Sequence, residues 1–443
     1  MNSFEGLHTH SPDVDLLKES WSQFAPEERL EWFKRLSRSD AEELFLNLSP
    51  SDQAEWFSVL DWSERRSWLR LLPLDDSADL IQEFPLEERE RLIGLLDRDT
   101  AADVTALLAY AEDAAGGLMN PRFVRLRPDV TVDVAVRYLR TQARKQVETI
   151  HYAYVIGPDA KLMGTVSFRD LLLASPEKLV SEIMETDLIT IPEHMDQEEV
   201  SRKFSHHGLT AIPVVDGQGL MKGIVSVDDV VDVVQEEATE DMHKLGGTAA
   251  LEDPYLQVSL FDLVKKRAGW LVLLFVSEMF TATVMGFYEK QIERAVVLAL
   301  FIPLIISSGG NSGSQASTLI IRAMALGEVK LKDYGRVFFR ELRAGLMLGG
   351  ILGAIGLLRI LFWPGTEAIY GPHYFWIGLT VSLSLLGIVL WGTLTGSMLP
   401  FVLKRFGLDP ASASAPFVAT LVDVTGIMIY FTLASFLLKG LLL

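Results

Sequence analysis

The residues best suited to chemistry in this chain are oxygen donors set in apolar surroundings. Asp423 stands in Ala419-Thr420-Leu421-Val422-Asp423-Val424-Thr425-Gly426, and Glu278 occupies another largely apolar stretch. An ionisable side chain inside a segment that crosses a bilayer is costly to keep, so each is read as part of an ion path. A further stretch carries Phe301-Ile302-Pro303 and then Ser307-Ser308-Gly309-Gly310-Asn311-Ser312-Gly313-Ser314-Gln315. So many glycines, hydroxyls and amides would be wasted facing lipid. They fit a helix that bends, packs closely and offers oxygens to a water-filled path lined by Pro303, Gly310, Asn311 and Gln315. A small-residue packing seam would explain the glycines, but not Pro303, Asn311 and Gln315 together.

Carboxylates also cluster outside the apolar stretches. Asp75, Asp76 and Asp79, and Glu87, Glu88 and Glu90, form either a solvated face or ligands for hard divalent cations, which prefer oxygen and keep water in their remaining positions. On the helix expected over Val231 to Gly247, Glu237, Glu240 and Asp241 share a face with Lys244. Other chemistries are excluded. With no cysteine there is no disulfide framework, thiol nucleophile or Cys-ligated metal, and the eight histidines show no HExxH pairing. The chain is read as a non-enzyme.

The elements that must position these residues differ between the two ends of the chain. From Val264 onward there are 15 Lys and Arg against 9 Asp and Glu, whereas the first 263 residues carry 25 against 50. This is the pattern of an acidic soluble module followed by a membrane domain, and a surface that negative excludes nucleic acid as a partner. Five apolar runs, about 268–288, 295–321, 338–362, 374–403 and 412–438, each hold roughly 20 or more residues, enough to span the hydrocarbon. Lys265, Lys266, Arg267, Arg322, Lys330, Lys332, Arg336, Arg340, Arg343, Lys404 and Arg405 fall on one side of them. By the positive-inside rule that side and the amino-terminal half are cytosolic, the carboxyl terminus lies outside, and the chain is a multi-pass cell-membrane protein. Five spans do not readily close a symmetric pore within one chain, so a homodimer is expected. Met1 to Asp15 lack the basic start and apolar run of a secretory signal, so no cleaved signal is expected.

The soluble half divides further. Ser39, Ser51, Ser63, Asp75, Glu87 and Asp99 recur every twelve residues as helix-start signals before short apolar-periodic runs, which predicts an all-α superhelical domain over 1–120. Beyond it, His151 to Ile156, a turn, and Leu162 to Leu171 are echoed by Ala211 to Val215, a turn, and Leu220 to Val230. Gly164 and Gly223, Ser167 and Ser226, and Asp170 and Asp229 are each 59 apart, so an α/β unit is duplicated over 121–180 and 181–235. A connecting helix over 236–263 then leads to an α-helical membrane domain over 264–443.

The duplicated unit resembles a tandem CBS pair, whose closing motif Gly-x-(Val/Ile)-Ser-x-x-Asp-(Leu/Val) occurs at both positions. That resemblance implies an adenine-nucleotide cleft, ATP or a relative, with Tyr152, Arg169 and Asp170 as candidate binders. An aromatic ring can stack on a base, and Arg with Asp can address phosphate and ribose. Asp170 and Asp229 also sit where an Asp caps a following helix. The whole chain resembles the MgtE family of magnesium channels and transporters. The resemblance rests on Ala115-Gly116-Gly117-Leu118-Met119, Glu237-Ala238-Thr239-Glu240-Asp241, Pro303 with Gly309 to Gln315, and Asp409-Pro410 with Asp423 to Gly426. It implies a homodimer in the bilayer, with a plug helix and five spans per subunit. It also implies an ion site at Asp423 on the dimer axis, and magnesium-sensing carboxylates that close the pore, with Asp228, Asp229, Glu237, Glu240, Asp241 and Asp409 as candidate ligands. Mg2+ is then both cargo and regulator, and Co2+, Mn2+ and Ca2+ are further candidate cations. Glu278 departs from that pattern as a second intramembrane acid, and Leu209 stands where an aromatic is expected beside the nucleotide cleft. A CBS-regulated secondary transporter coupled to Na+ or H+, with Glu278 and Asp423 alternating as carriers, is the rival reading.

Overall fold

Short capped helices open the fold, because each start signal is followed by only two or three turns of apolar periodicity. The computed structural model describes residues 26–142, 151–251 and 258–442, together with Leu17, Trp21, Phe24, Tyr255 and Leu256. The reading of Met1 to Asp15 lies outside the described residues. The chain divides into two units, Met1–Glu237 and Ala238–Leu443.

In the first unit, α1 (Pro26–Arg35), α2 (Arg38–Leu46), α3 (Pro50–Val59), α4 (Trp62–Leu69), α5 (Leu74–Gln82), α6 (Leu86–Ile93) and α7 (Arg98–Leu107) follow one another. The twelve-residue spacing holds, but its register moves. The residues preceding α2 to α7 are Ser37, Ser49, Asp61, Pro73, Pro85 and Asp97, two positions ahead of those expected. A cap needs extended backbone and an oxygen within reach of the N–H three residues on. Ser37 Oγ accepts from Asp40 N–H (3.2 Å), Ser49 Oγ from Asp52 N–H (3.3 Å) and Asp97 Oδ1 from Thr100 N–H (3.2 Å). Ser39, Asp75 and Asp99 stand instead inside the first turn, where an acid still meets the positive end of the helix dipole. A second period of the solenoid appears only in the structure. Arg29 Nε donates to the carbonyls of Trp21 and Phe24, Arg65 Nε to Leu60 and Arg89 Nε to Phe84, each closing the preceding helix or turn. Arg29 and Arg65 also each reach an acid 23 residues on, Asp52 (2.6 Å) and Glu88 (2.8 Å). Phe33 stacks on Trp56 with ring centroids 4.1 Å apart, beside Phe45, Phe57 and Trp68, and these rings form the centre of the solenoid core.

The duplication is visible in topology. One three-stranded sheet joins β1 (Arg125–Leu126), β2 (Tyr152–Ile156) and β3 (Leu162–Ser167), with α8 (Val132–Gln142) between β1 and β2 and α9 (Phe168–Leu173) after β3; the other joins β4 (Ile191–Pro192), β5 (Ala211–Val215) and β6 (Met221–Ser226). The short α10 (Val180–Ile183) precedes β4, and α11 (Gln197–His207) joins β4 to β5. In both sheets the first pair is parallel and the second antiparallel. The shared Ser-x-x-Asp motif has a structural cause. Ser167 caps α9, its Oγ accepting from Asp170 N–H (3.0 Å) and donating to Asp170 Oδ2 (2.5 Å), and Ser226 likewise donates through Oγ to Asp229 Oδ2 (2.7 Å) at the start of α12 (Val227–Leu245).

Among the described residues, five helices of the second unit are long and apolar enough to cross a membrane. They are α13 (Leu260–Phe287), α15 (Ile302–Ala325), extended by a 3-10 turn from Val296, α16 (Tyr334–Phe362), extended by a 3-10 turn from Leu331, α18 (Tyr374–Arg405) and α19 (Ala415–Leu437); the short α14 (Glu289–Arg294) and α17 (Thr366–Tyr370) lie between them. The spans match the apolar runs of the sequence, with α13 starting about two turns earlier, at a Ser259 cap. Pro303 does not bend a continuous helix as expected. It stands in the first turn of α15, directly after the 3-10 turn Val296–Phe301, where its missing N–H has no helical partner to lose.

Candidate functional site

In the membrane unit the small residues of α15 sort onto two faces. Gly309, Ser312, Gly313 and Ser317 are buried in the seam with α18 and the start of α19. A Cβ on Gly392 or Gly396 of α18 would collide with the carbonyl oxygens of Gly309 and Gly313, so only glycine permits the two backbones to approach this closely. Ser312 Oγ bonds Thr393 Oγ1 (2.6 Å), and Ser314 and Ser317 donate to the Ala415 and Ala413 carbonyls (3.0 and 2.7 Å), which fixes α15 against the mouth of α19. Pro303, Ser307, Asn311 and Gln315, four residues apart, form a different stripe that is exposed in the protomer. Asn311 Nδ2 donates to Ser307 Oγ within that stripe (3.3 Å). The packing seam thus accounts for the glycines and for Ser312 and Ser317, while Pro303, Asn311 and Gln315 lie on a different face of the same helix.

Asp423 lies on α19 between these faces, half-buried. A Cβ added to Gly310 would stand 3.5 Å from Asp423 Oδ1 and 3.3 Å from Ala419 Cβ, so the bare glycine leaves room beside the carboxylate. Glu278, exposed on α13, is near enough for its charge to act on Asp423, since α13 packs along α19. Asp409 is placed away from Asp423, ahead of α19. Its Oδ1 accepts from Ala411 N–H (2.8 Å) and its Oδ2 holds Lys244 Nζ (2.7 Å), which also pairs with Glu240 (2.6 Å).

The first unit gathers a separate set of carboxylates. Asp76 and Asp79 on α5 lie within electrostatic reach of Asp228, Asp229, Asp232 and Glu236 on the first turns of α12, and of Glu112. Asp228, Asp232 and Glu236 repeat every four residues, so α12 presents one acidic face. Burial, with Asp232 and Asp228 close by, pushes Asp76 up to about 6; burial, with Asp76, Glu112, Asp229 and Glu236, pushes Asp79 up to about 8. Asp232 and Glu236 are raised for the same reasons, burial first and like charge second. Among the described residues no three of these groups converge to ligate one ion directly. Glu237 is turned to Gln197, whose Nε2 donates to it (2.7 Å), and Asp241 is half-buried further along α12. Glu112, Asp232 and Glu236 were not singled out from sequence, although the four-residue acidic repeat on α12 is readable there.

Tyr152, Arg169 and Asp170 meet at one sheet end. Tyr152 pairs with Ser167 across β2 and β3, and Phe168 N–H donates to the His151 carbonyl (3.0 Å), which brings the start of α9 against β2. Arg169 and Asp170 are exposed there, while the Tyr152 ring packs partly against Phe123, Tyr154, Met221 and Ile224.

Three family models match in chain order. A model for the MgtE intracellular N domain covers residues 14–113, CBS models cover 115–177 and 180–236, and a divalent cation transporter model covers 302–433. The magnesium transporter MgtE of Thermus thermophilus is 42% identical over 351 residues, 79% of this chain and 76% of that protein. The chain belongs to the MgtE family. A second member, the magnesium transporter MgtE of Bacillus subtilis, is 33% identical over 75% of this chain and 71% of its own length. Among solved structures, the cytosolic domain of the Mg2+ channel MgtE in complex with ATP aligns over 52% of this chain and 92% of that one, at 39% identity and a TM-score of 0.47. The family's three-part order, helical domain, CBS pair and apolar helices, is the order of elements found in this chain.

Proposed function

We propose that this protein is a magnesium-selective divalent cation channel of the cell membrane, active as a homodimer and closed by cytosolic Mg2+. The observation that carries this reading is the exposed stripe Pro303, Ser307, Asn311 and Gln315 on a membrane helix, lying next to the half-buried Asp423. Amides and a hydroxyl left on an outer face within hydrocarbon need a partner or water. A second copy, placing its own stripe opposite, supplies a polar path with two Asp423 carboxylates on its axis. Magnesium gives up its waters reluctantly, so such a path needs only carboxylate and a few polar oxygens to pass a hydrated ion. Mutual repulsion of the two carboxylates favours a divalent cation over a monovalent one.

The soluble half supports both dimerisation and sensing. Phe168 and Leu172 of the first repeat and Val227 and Val231 of the second are 59 apart in pairs and all exposed, so the CBS pair carries a pseudo-symmetric apolar face suited to a second copy. Magnesium entering the acidic space between α5 and α12 relieves repulsion, draws the helical domain onto the CBS pair, and holds the plug helix in its closing position. Tyr152, Arg169 and Asp170 are the residues that would hold an adenine nucleotide; the Asp170 carboxylate is exposed but already shared with Ser167. Because the chain has no cysteine, one substitution tests the pore directly. Asn311→Cys should react with a water-soluble thiol reagent and thereby block Mg2+ flux, while Ile355→Cys on the outer face of α16 should stay inert. Equal inertness of both would remove the stripe from the pore.

One observation favours coupled transport instead: Glu278 acts electrostatically on Asp423, as a carrier of a second ion would. Mg2+ uptake into vesicles at fixed membrane potential separates the two readings. A channel is indifferent to Na+ and H+ gradients, and a coupled transporter stops when they are removed.

A further inference from the structure

Helix α16 packs along one side and leaves the other bare. Val337, Gly345, Gly349, Gly353 and Gly356 are buried, and a Cβ on Gly349 or Gly353 would strike the α18 backbone at Leu386 or Ser382. At 3.6 residues per turn these positions form one ridge, and Arg336, Arg340, Arg343, Met347, Ile351 and Leu358 fall on the face opposite it. All six are exposed. The bare face is cationic at its start and apolar beyond. From Met347 to Leu358 it runs about 16 Å, the depth of one leaflet in a hydrocarbon core roughly 30 Å thick. At the far end the Arg359 guanidinium lies 3.3 Å from the centre of the Trp363 ring, as side chains at the opposite membrane surface do.

The three arginines are not equivalent. Arg336 is taken by Asp333, at 3.1 Å. Arg340 and Arg343 have no ion pair or hydrogen bond among the described residues. Glu341 acts on Arg340 through charge alone, from a position turned toward the packed ridge. Two guanidinium forks three residues apart stand side by side on a helix, and each matches the paired oxygens of a phosphate. With the amino-terminal half cytosolic, α13 and α15 carry the chain out and back, so α16 begins at the cytosolic surface.

We propose that this face of α16 binds an anionic phospholipid of the cytosolic leaflet, its phosphate on Arg340 and Arg343 and an acyl chain along Met347, Ile351 and Leu358. Charge and length together select the occupant. A free phosphate leaves the apolar stripe uncovered, and a zwitterionic lipid brings a cation up to two arginines. The site rests on the membrane placement proposed above and is independent of what the pore conducts.

The test is native mass spectrometry of the full-length protein in detergent with added phosphatidylglycerol or phosphatidylcholine. The native chain should retain phosphatidylglycerol over phosphatidylcholine by about tenfold, as two cationic side chains at a headgroup imply. Arg340→Gln with Arg343→Gln should abolish that preference. Arg322→Gln with Arg405→Gln, which removes equal charge at the same membrane surface from other helices, should leave it within about twofold of native. Excess inorganic phosphate should not displace the lipid. A preference that survives in the Arg340 and Arg343 variant, an equal loss in the Arg322 and Arg405 variant, or displacement by phosphate overturns the inference. Should the first variant not assemble, the native chain still decides: equal retention of the two lipids overturns the site. Absence of Mg2+ current with lipid preference intact would overturn the channel reading alone, so the two failures are distinct.

Discussion

Asp423 carries the largest burden of any single residue. In the proposed pore Asp423 would offer a divalent ion one carboxylate per protomer beside the bare backbone of Gly310, so replacing charge by an amide of the same shape removes the attraction and little else. Asp423→Asn should lower Mg2+ flux at least tenfold with the dimer intact by size-exclusion chromatography, and Asp423→Ala should abolish it. Asn311→Leu and Gln315→Leu should reduce maximal conduction while leaving the half-closing magnesium concentration in place; a shift of that concentration at full current would move the pair to the gate. Gly396 makes a contrasting prediction, because it acts by absence. A Cβ there meets the Gly313 carbonyl in a packed seam, so Gly396→Ala should cost about 1 to 3 kcal/mol, as overpacking typically does, and lower the melting temperature before it alters selectivity. Asp423 and the polar run of α15 were legible in sequence because charge and amides in apolar surroundings are locally anomalous. The partnership of Lys244 with Asp409 was not, since two residues far apart in the chain leave no mark of their pairing in either neighbourhood.

The elements show why some patterns can be read at a distance and others only approximately. Helix starts at twelve-residue spacing were readable, yet their register was two residues off: Ser39 and Asp75 are plausible caps by type, and only backbone conformation decides that Ser37 and Pro73 occupy that place. The paired repeats of the CBS units were legible because Gly, Ser and Asp recur in fixed order for reasons of turn and capping. The facing of α5 toward α12 is tertiary, and it has a titratable consequence. Asp79 is faced by Asp76 on its own helix, by Glu112, and by Asp229 and Glu236 on α12, and Asp76 by Asp228 and Asp232. Their folded values, about 6 and about 8, lie above the unfolded value of 3.8, so protonation stabilises the cation-free fold. That stability is complete below about pH 4 and is lost as pH rises through 6 and then 8. Magnesium binds the deprotonated groups, so the rise in melting temperature that it produces in the full-length protein should be larger at pH 8 than at pH 6. An equal rise at both values would place magnesium elsewhere.

At the scale of the whole molecule the charge asymmetry becomes the control principle. On the proposed reading, a half carrying 50 acidic against 25 basic residues would repel itself when divalent ions are scarce and condense when they bind, while the apolar half would keep its membrane helices in either condition. Removing residues 1 to about 120 deletes α5 and one side of the acidic space. The shortened chain should conduct Mg2+ yet fail to shut as cytosolic Mg2+ rises, and retained closure would confine sensing to the CBS pair and plug helix. The most direct test of the account is electrical recording of the full-length protein in a planar bilayer with Mg2+ as the only permeant cation, while Mg2+ on the cytosolic face is stepped from micromolar to about 10 mM. The account predicts inward Mg2+ current that needs no Na+ or H+ gradient, disappears in Asp423→Asn, and closes steeply as cytosolic Mg2+ rises. Current that persists unchanged in Asp423→Asn, or an absence of Mg2+ current in the native protein at every cytosolic concentration, would contradict it.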